Sequence, residues 1–191
     1  MNPINPVNTP IQLFTPTHAA SELKPEWLYV HAHMPPEKWA SFPSFGGAAS
    51  WLGMHHSLRK GQNELDYLNR QFLNQHLDAD AYRQRLLQAA YLHYGHLDGH
   101  HHLEDDADFP RLRALEPKLN TGFDLLERDH VHVAEQMSAI QDLLLQLQRA
   151  HTATPALAEQ LQAAMHTNGE LLYRHLADEE DLVIPVLALH A

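Results

Sequence analysis

His100-His101-His102-Leu103-Glu104-Asp105-Asp106-Ala107-Asp108-Phe109-Pro110 is answered 75 residues later by His175-Leu176-Ala177-Asp178-Glu179-Glu180-Asp181-Leu182-Val183-Ile184-Pro185. Each stretch carries a histidine and a glutamate four residues apart. Each is preceded, 45 residues earlier, by another histidine: His55 for the first and His130 for the second. The same shift pairs Leu68 with Leu143, Leu86 with Leu161, Leu97 with Leu172, Asp106 with Asp181 and Pro110 with Pro185. The repeat therefore does not rest on polar residues alone. Its period is longer than the roughly 20–50 residues of solenoid repeats, so two copies point to one domain built from two related helical hairpins.

Outward from these stretches the apolar residues follow helical spacing. Leu126, His130, Val133, Met137, Ile140, Leu144 and Leu147 form one seam. Leu86, Ala90, His93, Leu97, His100 and Glu104 form a second, and Leu161, Met165, Asn168, Leu172, His175, Glu179 and Leu182 a third. A less regular seam, preceded by Gly46-Gly47, runs through His55, Leu58, Leu65, Leu68 and Phe72. Breaks near Asp78, from Phe109 to Thr121 and at Ala153-Thr154-Pro155 leave four helices. Short connections predict an all-α, antiparallel up-down-up-down four-helix bundle over residues 46–191.

Eight of the twelve prolines lie between Pro3 and Pro43, too dense for long helices. Residues 1–45 therefore read as a Pro-rich N-terminal arm. Trp27, Tyr29, Trp39, Phe42 and Phe45 are too many large aromatics for a solvated linker, so residues from about 25 onward are expected to pack on the bundle.

Composition narrows the chemistry. With 191 residues and 44% hydrophobic content the chain can bury a core of its own. A net charge of −11 without basic runs argues against nucleic acid and anionic membranes as partners. There is no cysteine, so any metal is held by nitrogen and oxygen rather than thiolate. The start has no signal-peptide character and no apolar run suits a bilayer, which gives the expectation of a soluble cytoplasmic protein.

A His-x-x-x-Glu pair places imidazole and carboxylate on one helical face. For any single pair, an exposed ion pair is the commoner reading. Position on the seam reverses it: a buried polar group without a partner costs about 1–3 kcal/mol, and a buried unpaired charge more. His55, His100, Glu104, His130, His175 and Glu179 would all be such groups, and a pair of divalent cations would satisfy them together.

These residues resemble the hemerythrin-like (HHE cation-binding) family over roughly residues 48–190. His100 to Pro110 is similar to that family's HH-x-x-E-[ED]-x-x-x-F-P signature, and Asp129-His130 and Glu116-Pro117 are familiar from such domains. The resemblance implies a non-haem di-iron centre, with Glu104 and Glu179 as bridging carboxylates and His55, His100, His130 and His175 as terminal ligands. Oxygen-carrying relatives have a histidine where this chain has Ala134, and His101 is the best substitute for the missing nitrogen. The repeat favours Glu179 over Glu180 and His55 over His56.

His93 and Asn168, equivalent under the repeat, read as groups supporting the ligands or lining a pocket. His96 reads either way. His18, His31, His33, His102, His132, His151 and His190 read as solvated, and Arg59 and Arg174 first as ordinary surface ion-pair partners, with neutralisation of excess carboxylate near the site as the alternative. Two iron ions are the expected cofactors, with Mn or Zn as alternatives on ligand softness. The expected role is binding or sensing O2, NO or redox state, the ligand being O2 or another small diatomic or peroxide. A sensor would also need a protein partner that the sequence does not name. The alternatives are a di-iron enzyme of peroxidase or ferroxidase type, or iron handling and iron-centre repair.

Overall fold

A computed structural model describes residues 14–41 and 46–190. Phe42 and Phe45 lie outside the described residues, as do the prolines up to Pro10. Five α-helices follow one another: α1 (Gly47–Leu73), α2 (Ala79–Leu103), α3 (Phe109–Leu115), α4 (Asn120–Arg149) and α5 (Pro155–Leu189). No strand occurs among the described residues. Local chemistry fixes the boundaries. Asp78 caps α2 by accepting the Ala81 N–H at 2.9 Å, and Thr154 caps α5 by accepting that of Leu157 at 3.3 Å, with Pro155 at the first helical position.

Helix α1 packs on α2 and α5, and α4 packs on α5 and α2. The start of α1 (Ala48, Trp51), the start of α4 (Phe123, Leu126) and the end of α5 (Leu182–Leu187) share one apolar cluster. At the other end Leu65 and Leu68 meet Tyr82, Leu86, Ile140, Leu147, Leu161 and Met165. Between them Leu58, Leu97, Val133 and Leu172, one from each long helix, close a fully buried apolar layer.

The stretch from Phe109 to Thr121, expected as a break, is itself mostly helical. Pro110 cannot donate a helical hydrogen bond, and α2 absorbs it through a wider turn, Glu104–Asp108, in which the Phe109 N–H reaches the Glu104 carbonyl. The chain then re-forms a helix because Phe109 and Leu112 are fully buried, Phe109 against Phe123.

Among the described residues, packing of the N-terminal segment already includes Phe14, well before residue 25. Leu23, Leu28 and Val30 are buried in the cluster at the α5 end, with Trp27, Tyr29 and Trp39 against it. Tyr29 donates its hydroxyl to Glu116 at 2.6 Å.

Candidate metal centre

The seven side chains singled out as ligands converge between the α5-end cluster and the Leu58–Leu97–Val133–Leu172 layer. They form two groups, His101, Glu104, His130 and His175 in one and His55, His100, Glu104 and Glu179 in the other, each offering ligand atoms within 4.8 Å of one another. All seven are buried. Glu104 belongs to both groups, lying 3.0 Å from His100 Nε2 and 3.5 Å from His130 Nε2. Glu179 also touches both, at 3.4 Å from His55 Nε2 and 3.4 Å from His175 Nε2. His130 and His175 bring their Nε2 atoms within 3.2 Å. His101 stacks on His130 with centroids 3.9 Å apart.

The outward-facing nitrogens find carboxylates. His55 Nδ1 lies 2.9 Å from Glu180, which also accepts from Arg59 at 2.7 Å. His130 Nδ1 lies 2.8 Å from Asp105. His175 Nδ1 faces Asp129 at 3.8 Å, and Asp129 accepts from Arg174 at 2.8 Å. Such partners fix the ring orientation and leave the other nitrogen free for a metal. Trp51 stands edge-on to His55 and His100 at 6.2 Å from each. Phe109 stacks on His130 at 5.5 Å and keeps water from that side.

Inside the site the polar atoms lack ordinary partners. His55 Nε2, both nitrogens of His100, His101 Nε2 and all four oxygens of Glu104 and Glu179 are buried without a hydrogen bond. So many orphaned atoms in one buried cluster are what divalent cations would satisfy. A pair of metal ions fits this donor set, which contains five imidazoles, two carboxylates and no thiolate.

Burial pushes His100 down to about 4 and His130 to about 3, with His101 lower still, so all three are neutral, the form that binds metal. Burial also opposes charge on His55 and His175. Glu179 and Glu180 outweigh it at His55, and Asp129 with Glu179 carries His175 up to about 9. Burial and the neighbouring Glu179 hold Glu104 far above the carboxylate range. Glu179, although buried, is held well below it by His55 and His175. Without metal, the two carboxylates thus share one proton and one negative charge.

A sequence model of the hemerythrin HHE cation binding domain matches residues 47–188, from the start of α1 almost to the end of α5. The chain belongs to the hemerythrin family. Comparisons with curated proteins and with solved structures returned no match.

Within this hemerythrin domain the remaining sequence-derived candidates divide. His56 and His96 are exposed, whereas His93 and Asn168 are buried. The Nδ1 of His93 would lie 2.5 Å from a Cβ at Gly61, so that glycine is what seats the ring. Ala134 faces a groove of about 740 Å³ between α2 and α4, which is also lined by Tyr91 and Tyr94 and by none of the seven candidate ligands. Glu180 is partly exposed and lies outside both ligand groups.

Three readings are corrected. His31 is not solvated but buried, with Nε2 donating to the Asp181 carbonyl at 2.8 Å. His18 is half-buried and contacts Asp178 at 2.9 Å. Arg174 is not an ordinary surface pair, because its partners Asp129 and Asp178 are both buried. Sequence reasoning also missed Asp105, Asp129, Asp178 and Asp181 as contributors. Each lies next to or near a candidate ligand; burial separates Asp129, Asp178 and Asp181 from the other acids in the same runs, and the contact with His130 alone singles out the exposed Asp105.

Proposed function

We infer that this hemerythrin-family protein houses a non-haem di-iron centre used to bind or sense O2, NO, peroxide or redox state, in an up-down-up-down four-helix bundle. The observation that carries this reading is that Glu104 and Glu179 each lie between a histidine of one ligand group and a histidine of the other. That is the placement a carboxylate needs to span two metal ions.

Bound there, a pair of irons would supply reversible one-electron chemistry and a coordination position for a small ligand. Glu104, Glu179 and the five imidazoles would hold it. The group containing three imidazoles, His101, His130 and His175, offers more nitrogen than the group containing two, His55 and His100. Trp51 borders the second group, edge-on to His55 and His100. The chain's own residues prepare the site: Glu180, Asp105 and Asp129 orient imidazoles, while Phe109 and the Leu58–Leu97–Val133–Leu172 layer exclude water. Glu104 and His175 carry the protons that leave on metal binding.

Metal analysis with optical spectroscopy tests this on untagged protein produced in iron-supplemented medium. About two irons per chain, with near-ultraviolet bands that respond to reductant and O2, is the expected outcome. One tightly held zinc would sink the di-iron reading. Rapid turnover of peroxide or of Fe(II) would move the protein to the enzyme reading.

A further inference from the structure

The turn of α5 that carries Glu179 is held from outside the bundle. Asp178 and Asp181 flank the ligand and are fully buried. Asp178 accepts hydrogen bonds from the Ser21 hydroxyl, from His18 Nε2 at 2.9 Å, from the Glu22 N–H at 3.2 Å and from Arg174 at 3.4 Å. Asp181 accepts both the N–H and the hydroxyl of Thr17, at 2.8 and 3.1 Å. Its carbonyl would ordinarily bond the N–H four residues on, but that residue is Pro185, which has none. His31 makes the bond instead. Glu22 adds ion pairs to Arg174 at 3.5 Å and to Arg128 at 3.1 Å. A second line of contact runs from Glu22 through Arg174 and Asp129 to His175. Two ligands of the centre are thereby tied to one short segment that lies outside the family match at 47–188.

We propose that residues 14–34 form a strap whose docking is coupled to occupancy of the metal centre. The inference rests on the proposed metal centre and assigns it a conformational output. Asp178, Glu179 and Asp181 crowd three carboxylates into one buried turn. A cation on Glu179 fixes that turn, and with it the Asp178 and Asp181 acceptors that the Thr17, His18 and Ser21 donors reach. When the cation leaves, the turn is no longer fixed from the inside and the strap is the part free to yield, because the rest of α5 is packed on α1 and α4. Releasing it would uncover the apolar surface under Leu23, Leu28 and Val30, which gives the metal site a signal that another protein can read. Coupling between two sites is reciprocal, so the strap raises metal affinity by the factor by which metal tightens the strap.

Hydrogen exchange of the full, untagged chain tests this, metal-free and with Fe(II) added under anaerobic conditions. Exchange in residues 14–34 is expected to slow on metal addition by on the order of 5–150-fold, the usual range for coupled sites, and by clearly more than in Tyr82–Ala90 at the far end of the bundle. In Thr17→Val/Ser21→Ala the Fe(II) dissociation constant is expected to rise by that same factor, while His33→Ala, an exposed neighbour, leaves it unchanged. Two bound irons with unchanged exchange in 14–34, or slowing that is equal in 82–90, would overturn the strap and leave the metal centre standing. Failure to bind metal at all would overturn both. If the double variant does not fold, the exchange comparison on the unaltered chain decides alone.

Discussion

Helices α2 and α5 carry the same His-x-x-x-Glu pair with the same proline six residues beyond the glutamate, and they handle that proline differently. In α2 the backbone widens at Glu104–Asp108 and turns into α3. In α5 the helix runs on through Pro185, and the orphaned Asp181 carbonyl is satisfied by His31. The acids differ in parallel. Asp106 is exposed, whereas its counterpart Asp181 is buried and bonded to Thr17. The two glutamates differ as well, Glu104 being held protonated and Glu179 anionic. The repeat thus set out the candidate ligands symmetrically, while the N-terminal segment, which among the described residues hydrogen-bonds to the acids of the second ligand stretch and not the first, made their surroundings unequal.

The largest expected effect breaks the comparison at the glutamates. In metal-free protein, Glu179→Gln removes the anion facing His55 and His175 and is expected to cost about 3–5 kcal/mol, as for one partner of a buried ion pair. Glu104→Gln replaces a neutral acid by a neutral amide of the same shape and is expected to cost less than about 1 kcal/mol. Denaturant unfolding of the two variants measures the difference, and equal losses would refute the unequal protonation. Both substitutions are expected to abolish binding of the second metal ion.

Next come the groups that orient the histidines. Asp129→Ala leaves Arg174 and His175 facing a void and is expected to cost about 3 kcal/mol. Asp105→Ala trims a partly exposed carboxylate beside His130 and is expected to cost under about 1 kcal/mol. Thermal unfolding of the two apo variants ranks them.

His31→Ala, which strands the Asp181 carbonyl, is expected to cost about 1–3 kcal/mol. Adding Pro185→Ala restores the helical N–H and is expected to recover much of that loss. If the double variant is no more stable than His31→Ala, the carbonyl is not what His31 serves.

The last expectation concerns pH. His55 and His175 are raised above 6.5 in the folded state, His175 to about 9, so their contribution is complete below pH 6.5 and is lost as pH rises toward 9. Glu104, also raised, acts in the same direction above pH 4.5. His100, His101, His130 and His93 are pushed below 6.5, so they weaken the fold as pH falls from 6.5 toward 4. The metal-free protein is therefore expected to be most stable near pH 6.5. Metal affinity is expected to rise with pH instead, since Glu104 and His175 must first lose their protons. Chemical denaturation across pH 5–9, with and without metal, reads both slopes.

Much of this was legible in the sequence. Helix-period seams, the breaks near Asp78 and at Ala153-Thr154-Pro155 and the 75-residue repeat located the long helices and brought the candidate ligands to one level, because side-chain direction along a helix follows from spacing alone. His101 was reached only through a family resemblance, and the structure puts it against His130. The short helix α3 was not foreseen, since the pull of buried Phe109 and Leu112 on a proline-interrupted segment depends on what they pack against.

The sequence by itself determined which long helices form and which polar residues fall on their inner faces, since both follow from local periodicity. Only the tertiary structure decided the charge each candidate ligand carries, which acids among Asp105, Asp106, Asp178, Glu180 and Asp181 are buried, and that His31 is buried and His18 half-buried against Asp178. Those properties depend on solvent exclusion and on partners up to 164 residues away in the chain, which periodicity cannot encode.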